Sequence, residues 1–350
     1  MVHATHRVLA VAAVVTACEP SLDPPVDIGR FVTVSAVEDP EMVCLGTGLY
    51  MDVYIERLFE FFEAAVPADF TVPVNIVTGS ACTKLDRIAC YDPETRSVYA
   101  ESFDSLGYRT LGVLRHEVTH AVVHALWGRS VPFFEEGIAE ALSRSIPGSI
   151  GPSEGSVSVL GMVDAAAEDV DYMVAARFSR FLIDAHGLAR YRQMFQGSPQ
   201  GSSRGEIVQL FGEVYGKSLT ELEAEFSEQS RCAYQMDVCA APIEAVSLSW
   251  AASVAVSCED PFMYGASWGS MGRQWTLSIS HGGRYRLQAS VPVVIERCGA
   301  CQAQATQGFS TDVEVDLQPG VYNLEVSFNG GAHDTVQLEL LSTLLDRTSG

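Results

Sequence analysis

Apolar residues recur at helical spacing through residues 111–127. Leu111, Leu114, Val118, Val122 and Ala125 form one stripe there, and the pattern predicts a helix that buries one side and offers the other. A second helical pattern, 172–186, stops at Gly187, a residue suited to a helix C-terminus. Residues 206–211 and 219–226 suggest further helices. Upstream the texture differs. Residues 71–77, 88–91 and 98–100 are rich in β-branched and aromatic side chains and predict strands, the last two joined across Asp92-Pro93-Glu94-Thr95. Residues 26–47 have the character of a strand followed by the start of a helix.

Beyond about residue 240 alternation takes over. Strand-like runs at 275–280, 285–290, 294–297, 313–317, 322–328 and 336–341 are separated by His281-Gly282-Gly283, Pro319-Gly320 and Asn329-Gly330-Gly331 turns. Such spacing predicts a β-sandwich or jelly roll. The fold class expected is α+β: a first domain over 28–235 with a small N-terminal sheet and a helical C-terminal half, then an all-β domain over 239–345.

Composition narrows the function. At 350 residues, 47% of them hydrophobic, the chain can form two cores and is not generally disordered. Its 44 acidic and 22 basic residues give a net charge of −22, and no Lys/Arg-rich run occurs, which argues against nucleic acid as a partner. At the N-terminus Arg7 precedes an apolar run, 8–15, followed by the small residues Thr16 and Ala17, the layout of a signal peptide over 1–17. Val15-Thr16-Ala17-Cys18 resembles the bacterial lipobox. That resemblance implies lipidation of Cys18, a membrane-anchored lipoprotein of the bacterial cell envelope, and a stiff Pro-rich tether over 18–27. Eight further cysteines, 44, 82, 90, 232, 239, 258, 298 and 301, predict disulfides in an exported chain. A boundary near 233–238 leaves four on each side, so every bridge can stay within its domain, with Cys82–Cys90 the best single pair. Cys298-Gly299-Ala300-Cys301 fits a structural bridge better than a redox or zinc site, since no second signal lies nearby.

Within the predicted helix, residues 116–120 are His-Glu-Val-Thr-His. Histidines four apart lie about 40° from each other on a helix, so two imidazoles can reach one ion. Glu117 projects beside them, where a carboxylate can take a proton from an attacking water. The metzincin pattern is excluded, because it wants Gly and His where Val123 and Leu126 stand. After a loop at 128–132 comes Phe133-Phe134-Glu135-Glu136-Gly137-Ile138-Ala139-Glu140. This segment resembles the second motif of the gluzincins, in particular the peptidase MA-like families, in which a Glu-Gly-x-Ala stretch opens the next helix.

The resemblance implies a zincin-like zinc metallopeptidase acting on peptide or protein substrates. Zn²⁺ would be held by His116, His120 and Glu136, with Glu117 as general base. An edge strand of the sheet would lie beside the cleft. Glu140, one turn beyond Glu136, is placed to accept the second ring N–H of a ligand histidine. Glu135 points about 100° away and is expected to be a first-turn residue favoured by the helix dipole. His124 is expected to pack or to support the site from behind. Tyr172 is a conceivable oxyanion donor, although packing is its simpler role. The alternative is a catalytically inactive zincin-like surface lipoprotein serving as a binding module; a scaffold or adhesin carried by the β-domain is a further rival.

Overall fold

The structure, a computed structural model, describes residues 26–36, 43–77, 82, 88–101, 109–143, 158–228, 243–265, 270–298, 306–329 and 335–343. The expected signal peptide, Cys18 and most of the tether lie outside the described residues, as do Cys232, Cys239 and Cys301. It is an α+β protein with two sheets and two hydrophobic cores.

The first sheet has the order β1-β2-β3-β5-β4. β1 (Val26–Ile28) and β2 (Val32–Ala36) form an antiparallel hairpin, so Val26 and Asp27, expected in the tether, are already paired. β3 (Val72–Val77) lies parallel to β2, and β5 (Ser97–Glu101) lies parallel to β3. β4 (Ala89–Asp92) is the antiparallel edge strand. The Asp92 carboxylate closes the β4–β5 turn by accepting from the Glu94 N–H and the Thr95 hydroxyl, each at 2.9 Å. Cys82 and Cys90 are bonded, as expected.

Among the described residues this part of the chain has seven α-helices: α1 (Gly46–Phe61), α2 (Arg109–Trp127), α3 (Pro132–Ser143), α4 (Tyr172–His186), α5 (Leu188–Gly197), α6 (Arg204–Tyr215) and α7 (Leu219–Glu228). α2 packs against β4, β5, α1 and α3. Its stripe is buried at Leu111, Leu114, Val118 and Val122, whereas Ala125 is exposed. The ends of α4 follow local chemistry. The Asp171 carboxylate accepts from the N–H groups of Met173 and Val174, and Gly187 takes φ 93°. α6 opens with a Ser203/Glu206 capping box and closes on Gly216 at φ 69°. α1 begins at Gly46, inside the segment expected to hold a helix start, whereas α5 was not among the expected helices.

The second sheet has eight strands among the described residues. It comprises β6 (Ile243–Val246), β7 (Ser249–Ala255), β8 (Tyr264–Gly265), β9 (Ser270–Ile279), β10 (Gly283–Arg297), β11 (Thr306–Leu317), β12 (Gly320–Asn329) and β13 (Thr335–Ser342). The runs predicted at 285–290 and 294–297 are a single strand, β10. Its first half pairs with β13 and β11, its second half with β12 and β11, and the pairing slips between Gln288 and Val293. Pro292, with no N–H to donate, falls in that gap. The sheet therefore bends on itself around Leu277, Leu287, Val293, Leu324 and Leu340, nearly as a barrel, in place of two separate sheets.

One expectation about the cysteines fails. Cys44, just before α1, is bonded to Cys258, between β7 and β8, so this bridge spans the boundary expected near 233–238. Side chains cross as well: Cys44 packs in the second core, and Tyr264 of β8 packs in the first. Spacing along the chain could not reveal this, because the contact joins segments 214 residues apart.

Candidate metal centre

α2 and α3 are joined by a four-residue loop, 128–131, and this hairpin builds the site. Gly128 (φ 81°) ends α2, its N–H bonded to the His124 carbonyl at 3.1 Å. The Ser130 hydroxyl lies 2.8 Å from both the Phe195 and Ser198 carbonyl oxygens, which ties the loop to α5. α3 then runs back along α2 and against α4. The approach of α3 to α4 explains Gly137. A Cβ there would lie 2.5 Å from Ser179 Oγ and 2.8 Å from the Ala175 carbonyl oxygen, so the residue after Glu136 must lack a side chain.

Three donor atoms converge. His116 Nε2 lies 3.0 Å from Glu136 Oε2 and 3.2 Å from His120 Nε2, and His120 Nε2 lies 3.4 Å from Glu136 Oε2. Ligands bound at about 2.0–2.1 Å with tetrahedral angles stand roughly 3.3–3.4 Å apart, so this triangle fits a small divalent cation. All three residues are buried, and they form the one cluster of three or more His, Cys, Asp or Glu side chains able to share an ion among the described residues. The donor set, two imidazoles and a carboxylate, suits Zn²⁺ and neighbouring transition metals, and the arrangement itself does not choose among them.

The surrounding groups prepare the donors. His116 Nδ1 is 3.2 Å from Glu140 Oε2, so a proton on Nδ1 is held by Glu140 and Nε2 is left to face the cluster. Burial opposes the charged form of His116, but hydrogen bonds to Glu136 and Glu140 outweigh it and push its pKa well up. Glu136 responds in the opposite sense. Burial would raise its pKa, yet the His116 and His120 hydrogen bonds hold it well below the usual carboxylate range. Glu117 follows His116 on α2 and is buried, and among the described residues no hydrogen bond restrains its carboxylate. Its charge acts on His116. The Tyr172 ring stacks on His116 with centroids 5.9 Å apart and planes 14° apart. It packs against a member of the donor triangle.

Two ties fix the spacing of α2 and α3, and neither was anticipated. At the loop end, Glu135 does more than sit in the first turn. Its carboxylate accepts from the Ser130 N–H at 2.8 Å and pairs with Arg129 and with His124 Nε2, each at 3.3 Å. Burial works against its charge, but these partners prevail and hold its pKa down to about 2. His124 in turn packs its ring edge on Tyr91 of the edge strand β4, with centroids 5.2 Å apart. At the far end, Arg115 donates to the Leu142 carbonyl at the close of α3 (3.5 Å) and to the Tyr50 hydroxyl (3.3 Å), with its guanidinium 4.6 Å from the Tyr54 ring centre. Tyr54 Oη lies 3.0 Å from the same Leu142 carbonyl and 2.8 Å from the Thr119 hydroxyl. The available signal was Arg115 itself, a charged residue directly before His116 in a helix whose stripe is apolar.

Comparisons add little to this geometry. No protein-family model matches the chain, and no curated protein matches it. Among solved structures, the pre-peptidase C-terminal domain of a collagenase from Bacillus anthracis is similar at 12% identity, covering 29% of this chain and 94% of that domain, with a TM-score of 0.19. A TM-score that low establishes no shared fold.

Proposed function

We propose that this protein is a zinc metallopeptidase of the gluzincin type, close in plan to the peptidase MA-like families, with a zincin-like first domain. The observation that carries the reading is the triangle of His116, His120 and Glu136 donor atoms, 3.0–3.4 Å on each edge, beside the unrestrained carboxylate of Glu117. A bound zinc ion would supply Lewis acidity toward water and a substrate carbonyl. Glu117 takes the proton from the attacking water and hands it to the leaving amine as the peptide bond breaks. Glu140 favours the His116 tautomer whose Nε2 would be free to hold such an ion. The low-dielectric surroundings strengthen each of these interactions.

Two disulfides, Cys44–Cys258 and Cys82–Cys90, support an oxidising compartment and therefore export. With the lipobox-like Cys18, the reading is an enzyme held at the bacterial cell envelope by acyl chains. The test is hydrolysis of unfolded casein by purified protein. Activity should disappear with 1,10-phenanthroline and return on adding zinc. Activity that persists in excess chelator would refute a metallopeptidase.

A further inference from the structure

The β-domain makes an unusual contact with the first domain, because it caps α1. No side chain caps the start of that helix. Instead the Leu45 N–H donates to the Cys258 carbonyl at 3.0 Å and the Gly46 N–H to the Met263 carbonyl at 2.8 Å, two donors that a helix start leaves without partners. The Cys44 N–H adds a bond to the Gly265 carbonyl at 2.9 Å, next to the Cys44–Cys258 disulfide. Two glycines make the socket. A Cβ on Gly46 would lie 2.6 Å from the Met263 carbonyl oxygen, and one on Gly272 would lie 2.3 Å from the Tyr264 ring. Into that socket goes Tyr264, buried in the first core with its ring 4.5 Å from the Tyr50 ring.

Tyr50 is the hydroxyl to which Arg115 donates. Arg115 precedes His116 on α2 and reaches the Leu142 carbonyl in the last turn of α3, the helix that bears Glu136. The contacts therefore run unbroken from the β-domain to the two helices whose spacing sets the donor triangle. We propose that Tyr264 is a positioning residue for the metal centre: by packing on Tyr50 it holds Arg115 against α3, so the β-domain is a structural part of the site and not a tethered accessory. This inference rests on the metal-binding reading given above.

The experiment compares zinc affinity, by competition with a chromophoric chelator, and the visible spectrum of the cobalt(II)-loaded full-length protein. Tyr264→Ala should weaken zinc binding on the order of tenfold, the lower end of what loss of a supporting group behind a ligand costs, and should alter the cobalt bands. Tyr264→Phe keeps the ring and should match wild type in both. Leu340→Ala, in the second core away from the contact, should destabilise the β-domain yet leave affinity and spectrum unchanged. Should Tyr264→Ala not fold, Tyr50→Phe removes only the hydroxyl facing Arg115 and should weaken binding in the same direction. Wild-type affinity and spectrum in Tyr264→Ala, or in Tyr50→Phe where it must serve instead, would overturn the inference, as would an equal loss in Leu340→Ala. A wild type that binds no metal would overturn the metallopeptidase reading itself, and this inference with it.

Discussion

The two cores differ in what they bury. The first takes Arg115, His116, Glu117, His120, Glu135, Glu136 and Glu140 out of water on two adjoining helices, whereas the second buries Thr276, Glu296, Asn323 and Ser342 across separate strands. Burying an ionisable group is costly unless it is paired, and His116 with Glu136 and Glu140, and Glu135 with the loop residue Arg129, are paired in this way. Such a concentration is poor economy for stability alone, since apolar residues of similar size would fold as well. In the proposed function it is where the chemistry resides. The second core follows the ordinary alternation of a sheet, and its contribution reaches the site through one docking segment.

The sharpest way to break this contrast is Glu117→Gln. Removing the proton acceptor while keeping its shape should lower kcat/KM on casein by roughly 10²–10⁴, with metal content unchanged. Equal activity in the variant would leave the first core with a binding role only. Next in size is Leu338→Ala in the second core, a residue 2% exposed. It should lower unfolding free energy by about 2–5 kcal/mol in denaturant titrations without moving metal affinity. A parallel loss of metal would mean that the two cores do not divide the work as described.

Glu140→Ala sharpens the account within the first core. Losing the acceptor on His116 Nδ1 should weaken metal binding about 10–100-fold by calorimetric titration. No change would reduce Glu140 to a packing residue. The smallest effect concerns Glu135, whose pKa is held to about 2 against an ordinary 4.5. A carboxylate depressed on folding contributes stability that is complete above 4.5 and is lost as pH falls toward 2. Glu135→Gln should therefore flatten the acid limb of a stability-versus-pH curve, by about 1–2 kcal/mol once screening at the half-exposed Arg129 is allowed for. An unchanged acid limb would show that the Glu135 contacts do not stabilise the helix pair.

What was legible in the sequence follows from how local each signal is. The α2 pattern and the spacing of His116, Glu117 and His120 belong to a single helix, so the periodicity sufficed. The Asp92 turn, Gly187 and Cys82–Cys90 are likewise short-range. Glu136 required the resemblance to known peptidases, because nothing in spacing alone tells how α3 returns along α2. The Arg115, Tyr50 and Tyr264 contacts were invisible, since they join three segments distant in the chain. β10 was split into two strands because its bend at Pro292 imitates a turn. The interdomain Cys44–Cys258 bridge was missed for the opposite reason: an even division of cysteines suggested separate domains, but the domains interlock.

The central claim is that two imidazoles of α2 and one carboxylate of α3 hold one ion. Elemental analysis of protein purified without added chelator tests it directly, with His120→Ala and Glu136→Ala prepared alongside. The account predicts close to one equivalent of zinc or a similar transition metal in the wild type and a large loss in each variant. A metal-free wild type, or variants that retain the full equivalent, would contradict it.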